Sequence, residues 1–305
     1  MSGVVLGFVT VAVLIGFGSV LAHLRILDAA GQRTLSAVAF FVASPALLFT
    51  VLQDSDVHGL FSGNLIALTA AVLVSGAVTV AIAVARRRDL GESVIAALCA
   101  AYANAGNLGL PIAAYVLGDA ALIAPLLLLQ LLVLQSLALT ILDVAVSEQR
   151  PSRRRILSRP VRNPITLASA AGLAVALAGI EVPRLAAEPL EVLAGMAVPA
   201  MLLAYGVSLR LGPLPGRGVP PGELGLAVVL KLVVQPVTAY LVGRLLGLDD
   251  AALLAVTVIA SLPTAQNVFI IANRYRRAEL LARDAIFVST IGCVPVIFIV
   301  VALLA

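Results

Sequence analysis

The fold predicted for this chain is an all-α integral membrane protein: ten transmembrane helices in two inverted five-helix repeats, with helices 4 and 9 broken and crossing near the bilayer midplane. Three observations predict it. Of 305 residues 61% are hydrophobic and 12% charged, with no tryptophan and a mean hydropathy of +1.11, a composition that water does not keep soluble. Ten apolar stretches each approach the roughly 20 helical residues that cross a hydrocarbon layer. Arginine is concentrated in alternate loops between them.

The first span covers 4 to 22, and no basic residue precedes it, so it reads as a membrane span rather than a secretory signal peptide. The second, 34 to 52, holds Pro45 in ASPALLFTVL; the third, 61 to 85, holds Ser75 and Thr79 and no charge. In the fourth, 93 to 117, the run YANAGNLGLPIAAYVLG places Asn104, Gly106, Asn107, Gly109 and Pro111 where apolar helix is expected. The fifth, 121 to 146, carries Gln130, Gln135 and Asp143. A basic linker, 147–163, then separates a first repeat, 1–146, from a second, 164–305. Spans six and seven lie at 164 to 180 and 191 to 209, the latter with Pro199 in AVPAMLLAYG. Lys231 sits inside span eight, 223 to 247; ASLPTAQN interrupts span nine, 251 to 272; span ten covers 284 to 304.

Cationic loops resist translocation, so the side that holds them is cytoplasmic. One set of alternate loops holds every basic residue except Arg184, Arg244 and Lys231, while the opposite turns carry Asp54, Asp56, Asp119, Glu181, Glu188, Asp249 and Asp250. Both termini are therefore expected outside the cytoplasm, in a multi-pass protein of the inner (plasma) membrane. Five spans per half is an odd number, so the second half enters from the opposite side and any repeat is inverted. Pro199 follows Pro45 by 154 residues and Pro263 follows Pro111 by 152, which supports a duplication.

An unwound backbone in lipid has no water to satisfy its N–H and C=O groups, so it survives only inside protein or beside an aqueous cavity. Two such breaks in corresponding halves point to a transport site. Proline suits the first turn of a helix, so Pro111 and Pro263 are each expected to open an outgoing half-helix. A half-helix N-terminus carries about +0.5 of a charge and attracts anions; the incoming carbonyl ends could hold a cation. Asn104, Asn107, Gln266 and Asn267 add uncharged amides that both donate and accept. As a group they read as substrate contacts; singly, each reads equally well as satisfying broken backbone. Gly106 and Gly109 read as structural, allowing close crossing and positive φ.

Lys231 lies about eight residues from the cytoplasmic end of its span, where an unpaired charge is unfavourable by roughly 2.5 to 3.5 kcal/mol. It reads either as a substrate contact or gate charge, or as a side chain snorkelling to the headgroups. Asp143 could be its partner or an interface charge, and Gln130 and Gln135 could line the same cavity. Cys99 and Cys293 lack CxxC spacing and read as buried structural thiols, not as a metal or redox pair. His23 and His58 belong to no HExxH, and no GxSxG occurs, so an intramembrane enzyme is disfavoured. No metal, cofactor or nucleic acid is expected, since topology accounts for the arginines.

Two segments, NAGNLGLP at 104 to 111 and LPTAQNVFIIANRY at 262 to 275, resemble the auxin efflux carrier family in a chain that is similar to it throughout. The family includes plant PIN-type carriers and bacterial transporters described as malonate or organic-acid carriers. The resemblance implies a scaffold of helices 1, 2, 6 and 7, a moving bundle of helices 3–5 and 8–10, and a homodimer formed through the scaffold. It also implies that the position of Asn104 contacts a substrate carboxylate. Plant members place charged residues on the third span as a support site; this chain offers Ser75 and Thr79 there, and indole acetate is a poor first guess. The central loop is short, without the long regulatory insert of many plant members. The function expected is a secondary transporter that moves a small organic carboxylate by rocking or elevator alternating access, in contact with membrane lipid. A sodium- or proton-coupled symporter of the bile-acid carrier type is the alternative, although neither broken motif supplies a carboxylate ligand. A receptor role is a remote one. The small residues of GFGS at 16 to 19 suit close helix packing, within the chain or between copies.

Overall fold

A computed structural model describes residues 2–53, 63–109, 112–146 and 164–304. His58, Pro111 and the basic linker 147–163 lie outside the described residues. Among those described, the chain is helical and its β-structure is one isolated bridge. The helices are α1 (Ser2–His23), α2 (Ala29–Gln53), α3 (Gly63–Ala85), α4 (Leu90–Ala101), α5 (Ala124–Ala145), α6 (Pro164–Ala178), α7 (Arg184–Leu211), α8 (Pro221–Leu245), α9 (Asp250–Ala260), α10 (Asn267–Tyr275) and α11 (Glu279–Leu304). Six of them, α2, α3, α5, α7, α8 and α11, are long and apolar enough to cross a membrane.

Helix starts follow local chemistry. Asp28, Asp89 and Asp249 each cap the following helix, accepting from backbone N–H groups one turn on. The N–H groups of Gly31 and Ala30 hold the exposed Asp28 carboxyl below the ordinary carboxylate range. Helix ends split by side. On one side α1, α3 and α10 end in left-handed arginines, Arg25, Arg87 and Arg276; on the other, segment 113–117, α6 and α8 end in left-handed glycines, Gly118, Gly179 and Gly247. Both kinds close with the N–H of the next residue bonded back to a carbonyl in the last turn, as from Arg88 to Ala83 and from Leu248 to Gly243.

The packing is reciprocal. α1 lies along the second half of α7, and α6 along the second half of α2; α2 and α7 also pack on each other. An added Cβ at Gly206 would lie 2.0 Å from the Ile15 carbonyl oxygen, and one at Gly18 2.3 Å from that of Leu203, so these backbones touch. Ser19 donates its hydroxyl to the Gly206 carbonyl at 2.8 Å. The small residues Gly18 and Ser19 thus pack inside the chain. In the other group α3 packs on α8, α4 on α3, and α9 on α8.

Local widening to π-turns occurs at Ala39–Ala43, Leu129–Gln135 and Leu230–Val234. Two of these stand two residues ahead of a proline, Pro45 and Pro236, whose missing N–H and ring an α-turn accommodates poorly. α7 begins at Arg184, seven residues earlier than the sequence suggests, with Pro189 inside it and an interruption at Met196 ahead of Pro199.

Two apolar cores fill the molecule. One joins Phe40, Ile95, Leu139, Tyr205 and Phe269; the other joins Leu68, Leu108, Ile123, Val256 and Leu262. The breaks at 102–109 and 261–266 lie where they meet. Arg88 pairs with both carboxylate oxygens of Glu223, and Arg277 with Asp89 at 3.2 Å, tying the loops of the arginine-rich side together.

Candidate functional site

α4 stops at Ala101 and gives way to extended chain at Tyr102; α9 stops at Ala260, and after one more helical residue, Ser261, its chain too leaves the helix. The two extended pieces run antiparallel and bond to each other: Asn104 N–H to the Pro263 carbonyl at 2.8 Å, and Ala265 N–H to that of Tyr102 at 3.1 Å. Between them Ala103 and Thr264 face one another with their own N–H groups turned outward. Each finds a side chain from the following span: Ala103 N–H donates to Gln130 Oε1 at 2.5 Å, and Thr264 N–H to Ser289 Oγ at 3.0 Å. Both outward N–H groups of this pair are therefore satisfied inside protein, as a lipid-embedded chain requires.

The incoming helices end in carbonyls, and side chains cap those too. Thr264 Oγ1 donates to the Cys99 carbonyl at 2.7 Å, and Gln235 Nε2 to that of Ala101 at 3.0 Å. Lys231 Nζ donates to the Ala260 carbonyl at 3.3 Å and to Gln235 Oε1. Lys231 is 0% exposed, so it does not snorkel. Asp143 is not its partner, because Asp143 accepts from the Tyr275 hydroxyl at 2.8 Å. Ser75 Oγ reaches the Leu230 carbonyl at 3.3 Å, bracing the π-turn that carries the lysine, and Thr79 bonds back to the Ser75 carbonyl.

The amides gather on the opposite side of the bridge, toward the N-terminus of α10. Asn104 Nδ2 donates to Gln266 Oε1 at 2.7 Å. Gln135 Oε1 accepts from Tyr102 OH at 2.7 Å and from Asn267 Nδ2 at 3.1 Å. Asn104, Gln130, Gln135 and Gln266 are buried. The side chain of Asn107 lies outside the description, although its backbone belongs to the π-turn Ala105–Gly109.

Two expectations are corrected. Pro263 does not open α10, which begins four residues later at Asn267; it stands in the extended strand, where a residue without N–H leaves no donor unmet. Gly106 and Gly109 do not take positive φ. Gly109 is there for proximity: a Cβ would lie 2.9 Å from Ile123 Cδ1 and 3.0 Å from Leu262 Cδ1, whereas nothing lies within 4 Å of one at Gly106.

Thr264, Ser289, Gln235 and Tyr102 are site residues that sequence reasoning passed over. Lys231 and Gln235 are four apart on one helix, a spacing that places both on one face, and it was the available signal. Thr264 lay within the PTAQN motif. Ser289 carries no signal, being one serine in an apolar span.

On the arginine-rich side the site is roofed by contacts from α2 and α7. Tyr205 stacks edge-on against Phe269, with ring centroids 5.6 Å apart, and donates to the Arg283 carbonyl at 2.7 Å. Phe40 meets Tyr275 at 6.4 Å, Arg274 lies 4.8 Å over the Phe41 ring, and Asn273 Nδ2 is 3.4 Å from Ser36 Oγ. The Arg283–Asp284 pair is fully buried, and Asp284 accepts from Gly216 N–H at 2.8 Å. Cys99 and Cys293 are both free and buried.

A family model described as "Membrane transport protein" matches residues 4–301. The chain is 30% identical to a protein of Rhizobium meliloti (strain 1021) named "Putative malonate transporter", over 277 residues that span 88% of this chain and 86% of that protein. It is 28% identical to an "Uncharacterized transporter" of Methanothermobacter thermautotrophicus over 286 residues, 92% of each.

Proposed function

The chain belongs to this membrane transport protein family, the one its auxin-efflux-carrier resemblance indicated, and from that premise we propose that it is a secondary transporter moving a small organic carboxylate by alternating access. The antiparallel crossing of the two breaks carries the reading. It places the buried amides of Asn104 and Gln266 and the half-buried amide of Asn267, with Gln130 behind them, beside the N-terminus of α10, whose dipole is worth about half a positive charge. Such a place favours a carboxylate without holding a permanent charge against it. Asn107 and Pro111 complete the proposed site, with Lys231 on its carbonyl face. A dicarboxylate of malonate size is the first substrate to test, given the name of the Rhizobium protein.

The reciprocal packing of α1 on α7 and α6 on α2 supports two inverted five-span repeats, as does a shared entry to both incoming halves. Arg87 and Gly247 each take the left-handed turn two residues before the capping Asp89 and Asp249. In this reading α1, α2, α6 and α7 form the scaffold, and a homodimer forms through it. The remaining helices move, and the arginine-rich side faces the cytoplasm of a plasma-membrane protein with both termini outside. The roof of Tyr205, Phe40 and Ser36 is then the inner gate, closed here.

Uptake of labelled malonate, succinate and acetate into proteoliposomes tests the proposal. Saturable malonate uptake competed by unlabelled dicarboxylate is the expected result; no uptake of any organic acid by folded protein would overturn it.

A further inference from the structure

α3 ends at Ala85 on the arginine-rich side, and there a cleft of about 350 Å³ opens between its last two turns, α4 and the start of α8. That volume lies within the roughly 300–1,000 Å³ of small-ligand sites. Small side chains leave the space: Ala83, Ala96 and Ala227, one from each helix, are its buried floor. The half-buried Ile82 and Leu226 are its apolar walls. Beside it, α3 and α8 present the exposed Val80, Val84 and Val229, a face that in a membrane span meets acyl chains. An unfilled gap there forfeits dispersion contacts along its lining, and an acyl chain restores them.

The rim of the cleft is charged. Arg86, exposed just beyond the end of α3, and Arg88 in the following turn share it with Glu223, whose two oxygens both bond to Arg88. The neighbouring Asp89 pairs with Arg277 at 3.2 Å. Two guanidinium groups against one carboxylate leave one positive charge at the rim, and Arg86 carries it. A phosphodiester carries one negative charge, and a guanidinium fork matches its oxygens with paired N–H donors. Basic pockets between spans on the cytoplasmic side suit anionic headgroups in this way. We propose that this cleft holds one anionic phospholipid of the phosphatidylglycerol class, with its phosphate on Arg86 and the first part of an acyl chain between Ile82 and Leu226. A lipid seated there bridges α3 and α8 from the membrane side, as Ser75 bridges them within the protein by reaching the Leu230 carbonyl at 3.3 Å. The site uses none of the crossing residues and is independent of the substrate.

The test uses the full chain, purified and delipidated in detergent, with dioleoyl phosphatidylglycerol, the phosphatidylcholine or phosphatidylethanolamine of the same chains, or inorganic phosphate added. Native mass spectrometry counts the retained lipid, and a thermal melt reads stability. Phosphatidylglycerol is expected to be retained as a single copy and to raise the melting temperature by several degrees, while the other additions have little effect. Arg86→Gln is expected to melt like wild type without lipid and to bind phosphatidylglycerol about fivefold more weakly, the fold-change that one basic residue near an anionic surface is worth. Arg217→Gln, at an exposed arginine on the same side but outside the cleft, is expected to bind as wild type does. Ala227→Leu, which fills the cleft, is expected to lose the retained lipid. No retention of phosphatidylglycerol, or equal stabilisation by either zwitterionic lipid, overturns the proposal; equal stabilisation by inorganic phosphate also does, by showing a site for a free anion. Equal weakening by Arg86→Gln and Arg217→Gln would mark diffuse surface charge and overturn it as well, as would full retention by a folded Ala227→Leu. If Ala227→Leu does not fold, the two arginine variants decide.

Discussion

Asn104 is the residue on which most of the site converges, since its backbone N–H holds the bridge and its amide holds Gln266. Asn104→Ala keeps the first bond and loses the second. A hydrogen bond to a charged ligand is worth about 1.5–3 kcal/mol, so malonate uptake is expected to fall roughly 10- to 100-fold while the melting temperature moves little. A thermal melt run beside the uptake assay separates the two effects. At Arg87 the side chain is exposed and the backbone left-handed, which disfavours a residue with a Cβ by roughly 1–2 kcal/mol. Arg87→Gly is expected to raise stability by about 1 kcal/mol, readable as a higher melting temperature. Asp28 has a folded pKa below its unfolded one, so its contribution is present above the unfolded value and disappears as pH falls through the lower, folded value. Asp28→Asn is therefore expected to flatten the acid limb of a stability-versus-pH curve below about pH 4. Asn104 was legible because an amide beside glycine and proline in apolar sequence needs an explanation. Ser289 was not, because a single hydroxyl in a membrane helix usually bonds its own preceding turn.

Among the elements, the two breaks and the scaffold contacts differ in how much room they leave. Gly206→Ala places a methyl 2.0 Å from the Ile15 carbonyl oxygen, part of a backbone that cannot step aside, and is expected to abolish folded protein in size-exclusion chromatography. Gly109→Ala meets side-chain atoms of Ile123 and Leu262 near 3 Å and is expected to cost about 1–3 kcal/mol. Gly106→Ala, with open space around it, is the control that should fold normally. The breaks could be read from sequence because Asn, Gly and Pro are poor helix formers. Their direction of crossing could not, since that depends on which carbonyl the Asn104 N–H meets 159 residues away, at Pro263. The start of α10 was misplaced for a related reason: a proline marks where a helix can begin, but an extended strand uses the same missing donor equally well. The π-turns at Leu129–Gln135 and Leu230–Val234 turn Gln130 and Lys231 toward the crossing, and no local pattern in the sequence announces a one-residue widening.

For the molecule as a whole, the question is which contacts part when the bundle moves against the scaffold. Beyond the apolar core the two groups share, the contacts on the arginine-rich side are two edge-on aromatic pairs, one cation over a ring and a few hydrogen bonds. Ser36→Cys with Asn273→Cys is expected to cross-link across that seam, stop uptake, and release it on reduction; uptake that survives a complete cross-link would show that the seam does not open. The Arg283–Asp284 pair is a different matter. Asp284→Ala would leave a fully buried guanidinium without its carboxylate, a loss of about 3–5 kcal/mol that expression level and thermal melts would reveal. Composition and loop charge made the membrane class legible at this scale. The reciprocal seating of α1 on α7 and α6 on α2 was not, because apolar faces in lipid carry no mark of the partner they choose.

The antiparallel bridge also bears on how the protein is made. Ala103 and Thr264 are separated by about 160 residues, and a ribosome adding roughly 5–20 residues per second needs about 8–30 s to span them. Throughout that interval the first half waits in the bilayer with the Asn104 N–H and the Tyr102 carbonyl deprived of the strand that will receive them. The nascent chain thus holds an unfinished seam during its own synthesis. Slowed translation of the second half should lengthen its exposure to quality-control proteases, and supplying that half in trans should shorten it.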